Sequence, residues 1–309
     1  MAFAFLFPGQ GSQSLKMMDG FADLPVVQHT FEEASDTLSL DLWAMLQADS
    51  ADAINATVNT QPIMLAAGYA TYLAWQELNG KQPSVVAGHS LGEYTALVAA
   101  GALPFAEAVK LVRLRAEAMQ AAVPVGVGAM AAILSLSDDD IRAACAEAAQ
   151  GEVVEAVNFN SPGQVVIAGH KAAVERAMEL CKARGAKRAL PLPVSVPSHC
   201  ALMRPAADRL ADALRDVHLN APAIPVLHNA DVAGYNDAEQ IRDALTRQLY
   251  MPVRWTETIQ KLAADGISLM AECGPGKVLA GLAKRIDGDV KCLALTDRAA
   301  LEAARDQLA

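Results

Sequence analysis

Apolar and polar positions follow two different rhythms along this 309-residue chain, and the change of rhythm marks its organisation. Phe3-Ala4-Phe5-Leu6-Phe7 is a continuous apolar run stopped by Pro8-Gly9, which predicts a buried first strand. Gln61 to Leu78 is apolar at helical spacing (Ile63, Ala67, Ala70, Leu73, Ala74), with Pro62 suited to a first turn. A second strand is predicted over 84–87. A helix follows from Glu93 to a stop at Gly101, and Pro104 opens another that runs to about Gln120. Strands alternating with helices in this way predict a mainly parallel sheet flanked by helices.

The rhythm changes at Pro124. Met130 to Leu136 predicts a strand, and Ser137-Asp138-Asp139-Asp140 supplies a cap and an acidic first turn for a helix. Val153–Asn158 and Gln164–Ala168 predict a strand pair around the turn Asn160-Ser161-Pro162-Gly163. A helix over 171–184 and a strand over 189–194 complete the ferredoxin-like order strand, helix, strand, strand, helix, strand. Residues 124–195 therefore read as a small inserted subdomain within a large α/β unit formed by 1–123 and 196–309. That unit resumes with a helix over 201–216, a strand over 224–228, helices near 237–249 and 255–265, and a strand over 267–271.

Composition narrows the function classes. With 53% hydrophobic and 19% charged residues, the chain has the balance of a packed globular protein. A net charge of −10 disfavours nucleic acid or an anionic membrane as partner. Cys145, Cys181, Cys200, Cys273 and Cys292 are scattered without metal-ligand spacing, which predicts buried thiols in a reducing compartment and no metal site. The apolar start lacks a basic n-region, and the uncharged stretch 119–137 is broken by Pro124, Gly126 and Gly128. Neither reads as a signal or a membrane span, so a cytoplasmic location is expected.

The candidate chemistry centres on Gly88-His89-Ser90-Leu91-Gly92. Between a strand and a helix, G-x-S-x-G forms a nucleophile elbow, the α/β-hydrolase-like device that lifts a serine hydroxyl above a sheet. Leu91 N–H would then lie at a helix N-terminus, suited to a developing oxyanion. A serine needs a base. His89 should point away from the reaction, and His29, His170 and His218 read as solvated. On context His199, where a strand gives way to a loop, is favoured over His228 at a strand's end, but both stay open. Gly9-Gln10-Gly11 leaves backbone N–H groups at the end of the first strand, where Gln10 N–H is a second candidate oxyanion donor.

Gly9-Gln10-Gly11-Ser12-Gln13, Gly88-His89-Ser90-Leu91-Gly92-Glu93-Tyr94 and Pro197-Ser198-His199 together resemble the malonyl-CoA:acyl-carrier-protein transacylases of bacterial fatty-acid synthesis. The resemblance extends through Val127–Ala132, Asn158–Gln164 and Glu272–Gly276, essentially the whole chain. It implies an α/β-hydrolase-like sheet with an inserted ferredoxin-like subdomain. Ser90 would be the acylated nucleophile, His199 its base, and Gln10 and Leu91 N–H the oxyanion hole. Arg115 would hold the malonyl carboxylate, and a main-chain carbonyl near Gln248 would orient the histidine. Arg113 reads as a solvated surface residue. No hydrolase-type carboxylate stands in a site-like setting; the candidates between serine and histidine read as lying in the inserted subdomain.

The implied reaction is ping-pong transfer from malonyl-CoA to the phosphopantetheine thiol of an acyl carrier protein, with no metal or redox cofactor. An acidic carrier would need a basic patch, for which Lys182, Arg184, Lys187 and Arg188 are the densest cluster and Lys284-Arg285 the second. Rival readings are an acyltransferase of a polyketide or malonate decarboxylase system, a serine esterase or thioesterase, and a silent carrier-binding subunit.

Overall fold

Strands such as Ala4-Phe5-Leu6-Phe7 and Val85-Val86-Ala87-Gly88, buried at every position, need cover on both faces. The computed structural model describes residues 2–194 and 196–308. Met1, Ser195 and Ala309 lie outside the described residues, and Ser195 is the residue at which the sequence reading ended the inserted subdomain. Nine strands run through the described residues: β1 (Ala4–Phe7), β2 (Val85–Gly88), β3 (Gly128–Leu134), β4 (Val154–Ser161), β5 (Gln164–His170), β6 (Arg188–Pro191), β7 (Val226–Leu227), β8 (Leu269–Glu272) and β9 (Lys291–Ala294).

The central sheet is wholly parallel in the order β7-β2-β1-β8-β9. Its strands counted alone run 3-2-1-4-5, so the chain leaves β1 in both directions across the sheet. Sites in such sheets gather at the carboxyl ends of the strands beside that switch. The second sheet is antiparallel, in the order β4-β5-β3-β6, with the helices Asp138–Ala149 and Lys171–Ala183 packed on it. It has an apolar core of its own, built on Ile133, Ile141, Phe159, Ile167 and Val174. Ser137 caps the first of these helices by accepting from Asp140 N at 3.1 Å.

Several boundaries moved for physical reasons. β4 and β5 run closer together than their turn chemistry suggested, so Asn160 and Ser161 are strand residues beside a β-bulge and only Pro162-Gly163 turns. The strand expected over 224–228 shrinks to two residues because His228 and Asn229 leave it for buried polar contacts. Val253 then bridges to Asn158, which joins the edge of the small sheet to the large subdomain.

The helix placed at Gln61 begins instead at Thr57 and runs to Glu77, buried on nearly all sides, with Pro62 inside it. Proline has no N–H for the carbonyl four residues back, here Val58. Arg113 supplies the missing donor: its Nη1 reaches Val58 O at 3.1 Å and Asn59 Oδ1 at 3.0 Å. Arg113 is therefore not the solvated surface residue that its helix position suggested. Arg113→Ala should cost about 1–3 kcal/mol by stranding that carbonyl. Most of the loss should vanish in a Pro62→Ala background, where the helix makes its own bond. Equal losses in both backgrounds, read by denaturant unfolding, would refute this account.

Candidate active site

The elbow is as tight as its glycines allow. A Cβ on Gly88 would fall on the carbonyl of Gly92, and one on Gly92 on the carbonyl of Phe7, so strand, turn and helix touch backbone to backbone. Ser90 takes φ 52°, a left-handed conformation costing on the order of 1–3 kcal/mol outside glycine. Three bonds hold it there. Ser90 N donates to Asn229 Oδ1 at 2.7 Å, Gln248 Nε2 donates to Ser90 O at 2.8 Å, and Asn229 Nδ2 donates to Gly88 O at 2.6 Å.

His199 arrives from 109 residues downstream with Nε2 2.8 Å from Ser90 Oγ. It too is left-handed, φ 65°, fixed by its own N donating to Leu249 O at 3.0 Å. Nδ1 lies 2.7 Å from the Gln248 carbonyl. A carbonyl can only accept, so Nδ1 carries the proton and the Nε2 lone pair faces the serine hydroxyl. Burial and then the nearby charge of Arg115 depress the His199 pKa from 6.5 to about 3, so the resting imidazole is a free base at neutral pH. His228, the competing histidine, instead sets Nδ1 2.7 Å from Glu93 Oε1, buried beneath the elbow. His89 turns to Asn160 Oδ1 at 2.8 Å and stands edge-on to Trp255.

Arg115 is 2% exposed. Its Nη1 donates to Gln61 Oε1 at 2.8 Å and its Nη2 to Gln248 Oε1 at 3.0 Å, while Nη2 also stands 3.4 Å from Ser90 Oγ. Nε has no partner, and the guanidinium lies over the Tyr94 ring. Burial pulls its pKa below the ordinary arginine value. No carboxylate touches it among the described residues. A buried cation with only neutral acceptors, beside a serine hydroxyl, has its charge open to an anionic group.

The loop Pro8–Gly11 lies directly on the elbow, since a Cβ on Gly9 would overlap the His89 carbonyl. This brings the Gly9-Gln10 backbone beside Leu91, whose N–H opens the helix Gly92–Ala99; the Gln10 side chain turns outward to Thr57. Lys182, Arg184, Lys187 and Arg188 are all exposed on the small subdomain. Lys182 pairs with Glu179 and Arg184 with Glu147, leaving Lys187 and Arg188 without a carboxylate among the described residues. Arg285 is held by Gln164. His170 is not simply solvated, for its Nδ1 accepts from Val153 N at 2.9 Å.

Sequence reasoning missed four residues of the site: Gln61, Glu93, Asn160 and Asn229. The expectation that no carboxylate stands near the site is also corrected. Glu93, three residues past Ser90, is fully buried and accepts from Asn229 N at 2.9 Å and Gln248 Nε2 at 3.0 Å as well as facing His228. The available signal was a polar residue inside an apolar helical run, where Gln61 and Glu93 both stand.

A serine on a tight elbow, a neutral histidine against it and an unsated buried guanidinium define a serine–histidine α/β protein suited to acyl chemistry. A model of the acyl transferase domain matches residues 4–287. The chain is 57% identical to the malonyl CoA-acyl carrier protein transacylase of Escherichia coli strain K12 over 98% of both chains, and 43% identical to that of Bacillus subtilis over 97% and 95%. Among solved structures it superimposes on the Coxiella burnetii malonyl CoA-acyl carrier protein transacylase with TM-score 0.99, 50% identity, and coverage of 100% and 98%. A malonyl-transacylase solved with its type II polyketide acyl-carrier protein gives TM-score 0.98 at 54% identity, covering 99% and 100%. The chain belongs to the acyl transferase domain family.

Because His199 has its pKa at about 3, it is unprotonated from about pH 5 to 8. Sulfonylation of Ser90 by a small uncharged sulfonyl fluoride should show no acid limb near the ordinary histidine value in that range. In Arg115→Met one of the two main depressing causes is gone, and the limb should move upward. A wild-type limb near 6.5 would contradict the assignment. The depressed folded value lies below the unfolded one, so this group favours unfolding progressively as pH falls from 6.5 toward about 3.

Proposed function

We infer that the chain is a malonyl-CoA:acyl-carrier-protein S-malonyltransferase, and that Arg115 is the residue that makes it one. The supporting observation is the buried guanidinium, held by Gln61 and Gln248, 3.4 Å from Ser90 Oγ. A malonyl group carries a carboxylate two bonds from its thioester carbonyl. Paired with Arg115, that carboxylate sets the carbonyl carbon at the serine hydroxyl.

Ser90 Oγ attacks the thioester carbonyl while His199 Nε2 takes the hydroxyl proton. The oxyanion turns to the N–H groups of Leu91 and Gln10. Collapse expels the coenzyme A thiolate, which takes the proton back from His199, and leaves malonyl-Ser90. The carrier's phosphopantetheine thiol then gives its proton to His199, attacks the ester, and Ser90 leaves as the alcohol. Thioester is exchanged for ester and back for thioester, so the exchange is close to balanced and needs no redox cofactor or metal.

Arg115 serves the chemistry as well as the binding. Its charge opposes formation of imidazolium at His199. A substrate carboxylate on the guanidinium offsets that charge, so the base strengthens when the right substrate is in place. An acetyl group would leave Arg115 unpaired and the base weak, a double penalty against the wrong acyl group.

The five cysteines form no disulfide among the described residues, which supports a reducing, cytoplasmic setting. No helix among the described residues is long and apolar enough to cross a membrane. The carrier docks, on this reading, at Lys187 and Arg188, the two cations left free of the basic cluster. Charge reversal at both should raise the carrier's apparent KM about tenfold at low salt, leaving that for malonyl-CoA unchanged. An unchanged carrier KM would remove that site.

Intact mass after mixing with malonyl-CoA tests the reading as a whole. Wild type should gain one malonyl group and Ser90→Ala none. Arg115→Ala should lose on the order of 100-fold in malonyl acylation rate while acetyl acylation stays or rises. Acylation of Ser90→Ala, or unaltered preference in Arg115→Ala, would overturn it.

A further inference from the structure

Glu93 is a fully buried acidic side chain that the reaction does not use. It is fully buried in the helix Gly92–Ala99, directly behind the elbow. Its Oε2 accepts from Gln248 Nε2 at 3.0 Å, and the same amide presents its oxygen to Arg115 Nη2 at 3.0 Å. A single side-chain amide thus separates a buried anion from a buried cation. His228 faces Oε1 at 2.7 Å, but its Nε2 is buried without a partner. Asn229 N is the remaining donor, at 2.9 Å.

We propose that Glu93 is the resident counter-charge of Arg115, held off the guanidinium by the Gln248 amide so that its face stays free for the substrate carboxylate. In direct contact the carboxylate would fill the place of the substrate. With no anion nearby, the empty site would hold a buried, uncompensated cation. At one amide's distance Glu93 offsets the charge without occupying the receptor. It also limits the grip on malonate, because the incoming anion meets a site that is already half neutralised. Glu93 is a positioning residue that acts through Gln248 and Arg115, not a group that touches substrate.

The inference rests on the malonyl reading above. The test is Glu93→Gln, which removes the charge and keeps the shape: its oxygen can still accept from Asn229 N and Gln248 Nε2, while its NH2 meets His228 Nδ1, which must then take the tautomer that accepts. Free malonate, competing with malonyl-CoA for Ser90, should inhibit the variant at least about fivefold more tightly than wild type. The variant should melt lower than wild type when empty and regain more on adding malonate, because malonate then supplies the missing anion. A merely structural role would weaken malonate inhibition, and either weakened or unchanged inhibition overturns the proposal. Should Glu93→Gln fail to fold, the comparison moves to Glu93→Gln/Arg115→Met. Recovery of a folded protein there supports charge compensation, since neither ion remains to be balanced, and failure of the double variant overturns it. Wild type that takes up no malonyl group refutes the malonyl reading itself. Wild type that does so while Glu93→Gln binds malonate no better refutes only the counter-charge.

Discussion

A guanidinium buried without a carboxylate is the constraint around which this molecule is arranged. Moving Arg115 out of water costs several kcal/mol unless its donors find acceptors. Here the fold supplies neutral ones from distant elements. Gln61 comes from the buried helix Thr57–Glu77 and Gln248 from the end of the helix Ala238–Gln248. Neutral acceptors hold the fork in place yet leave its charge open, which an ion pair within the protein would not. The packing behind it serves the same end, with Gly68 letting the Gln61 helix close onto Thr95 of the elbow helix.

Gln248 and the five residues after it join Ser90, His199, Glu93 and Arg115 to the small sheet. The Gln248 carbonyl takes His199 Nδ1, its amide spans Ser90, Glu93 and Arg115, and the Leu249 carbonyl takes His199 N. Val253 then exchanges backbone bonds with Val157 and Phe159 of β4. The alignment of serine and histidine is thereby tied to the position of the small sheet, whose Asn160 meets His89. Two left-handed residues, Ser90 and His199, persist because this segment and Asn229 determine each of them more than once.

What could be read from the sequence was local. Ser90 was legible because strand, glycine turn and helix are adjacent in the chain. The ferredoxin-like order of the second sheet was legible for the same reason, each element carrying its own period. Context favoured His199 over His228 without deciding between them, since each follows a strand. The difference lies in a carbonyl 49 residues from one and a carboxylate 135 residues from the other. Arg113 and Arg115 look alike on paper, and both proved to be partners of the Thr57–Glu77 helix, one at a carbonyl freed by Pro62 and one at Gln61. Glu93 hid because a glutamate near a helix N-terminus has an ordinary explanation in the macrodipole.

The placement of Glu93 also bears on why a carbonyl, not a carboxylate, stands behind the histidine. A hydrolase-type aspartate at Nδ1 would lie in the same buried pocket as Arg115, which Gln248 links to both His199 and Ser90. In so small a low-dielectric space the guanidinium would turn to that carboxylate and no longer be open to another anion. The chain instead directs its one buried carboxylate at the site to His228, Asn229 and the far end of the Gln248 amide. On the function proposed above, the anion that strengthens the base is then the one that the substrate brings. On that same proposed function, selection for a carboxylate-bearing acyl group and a carbonyl-backed histidine follow from a single electrostatic requirement: no carboxylate of the protein may contact Arg115 directly.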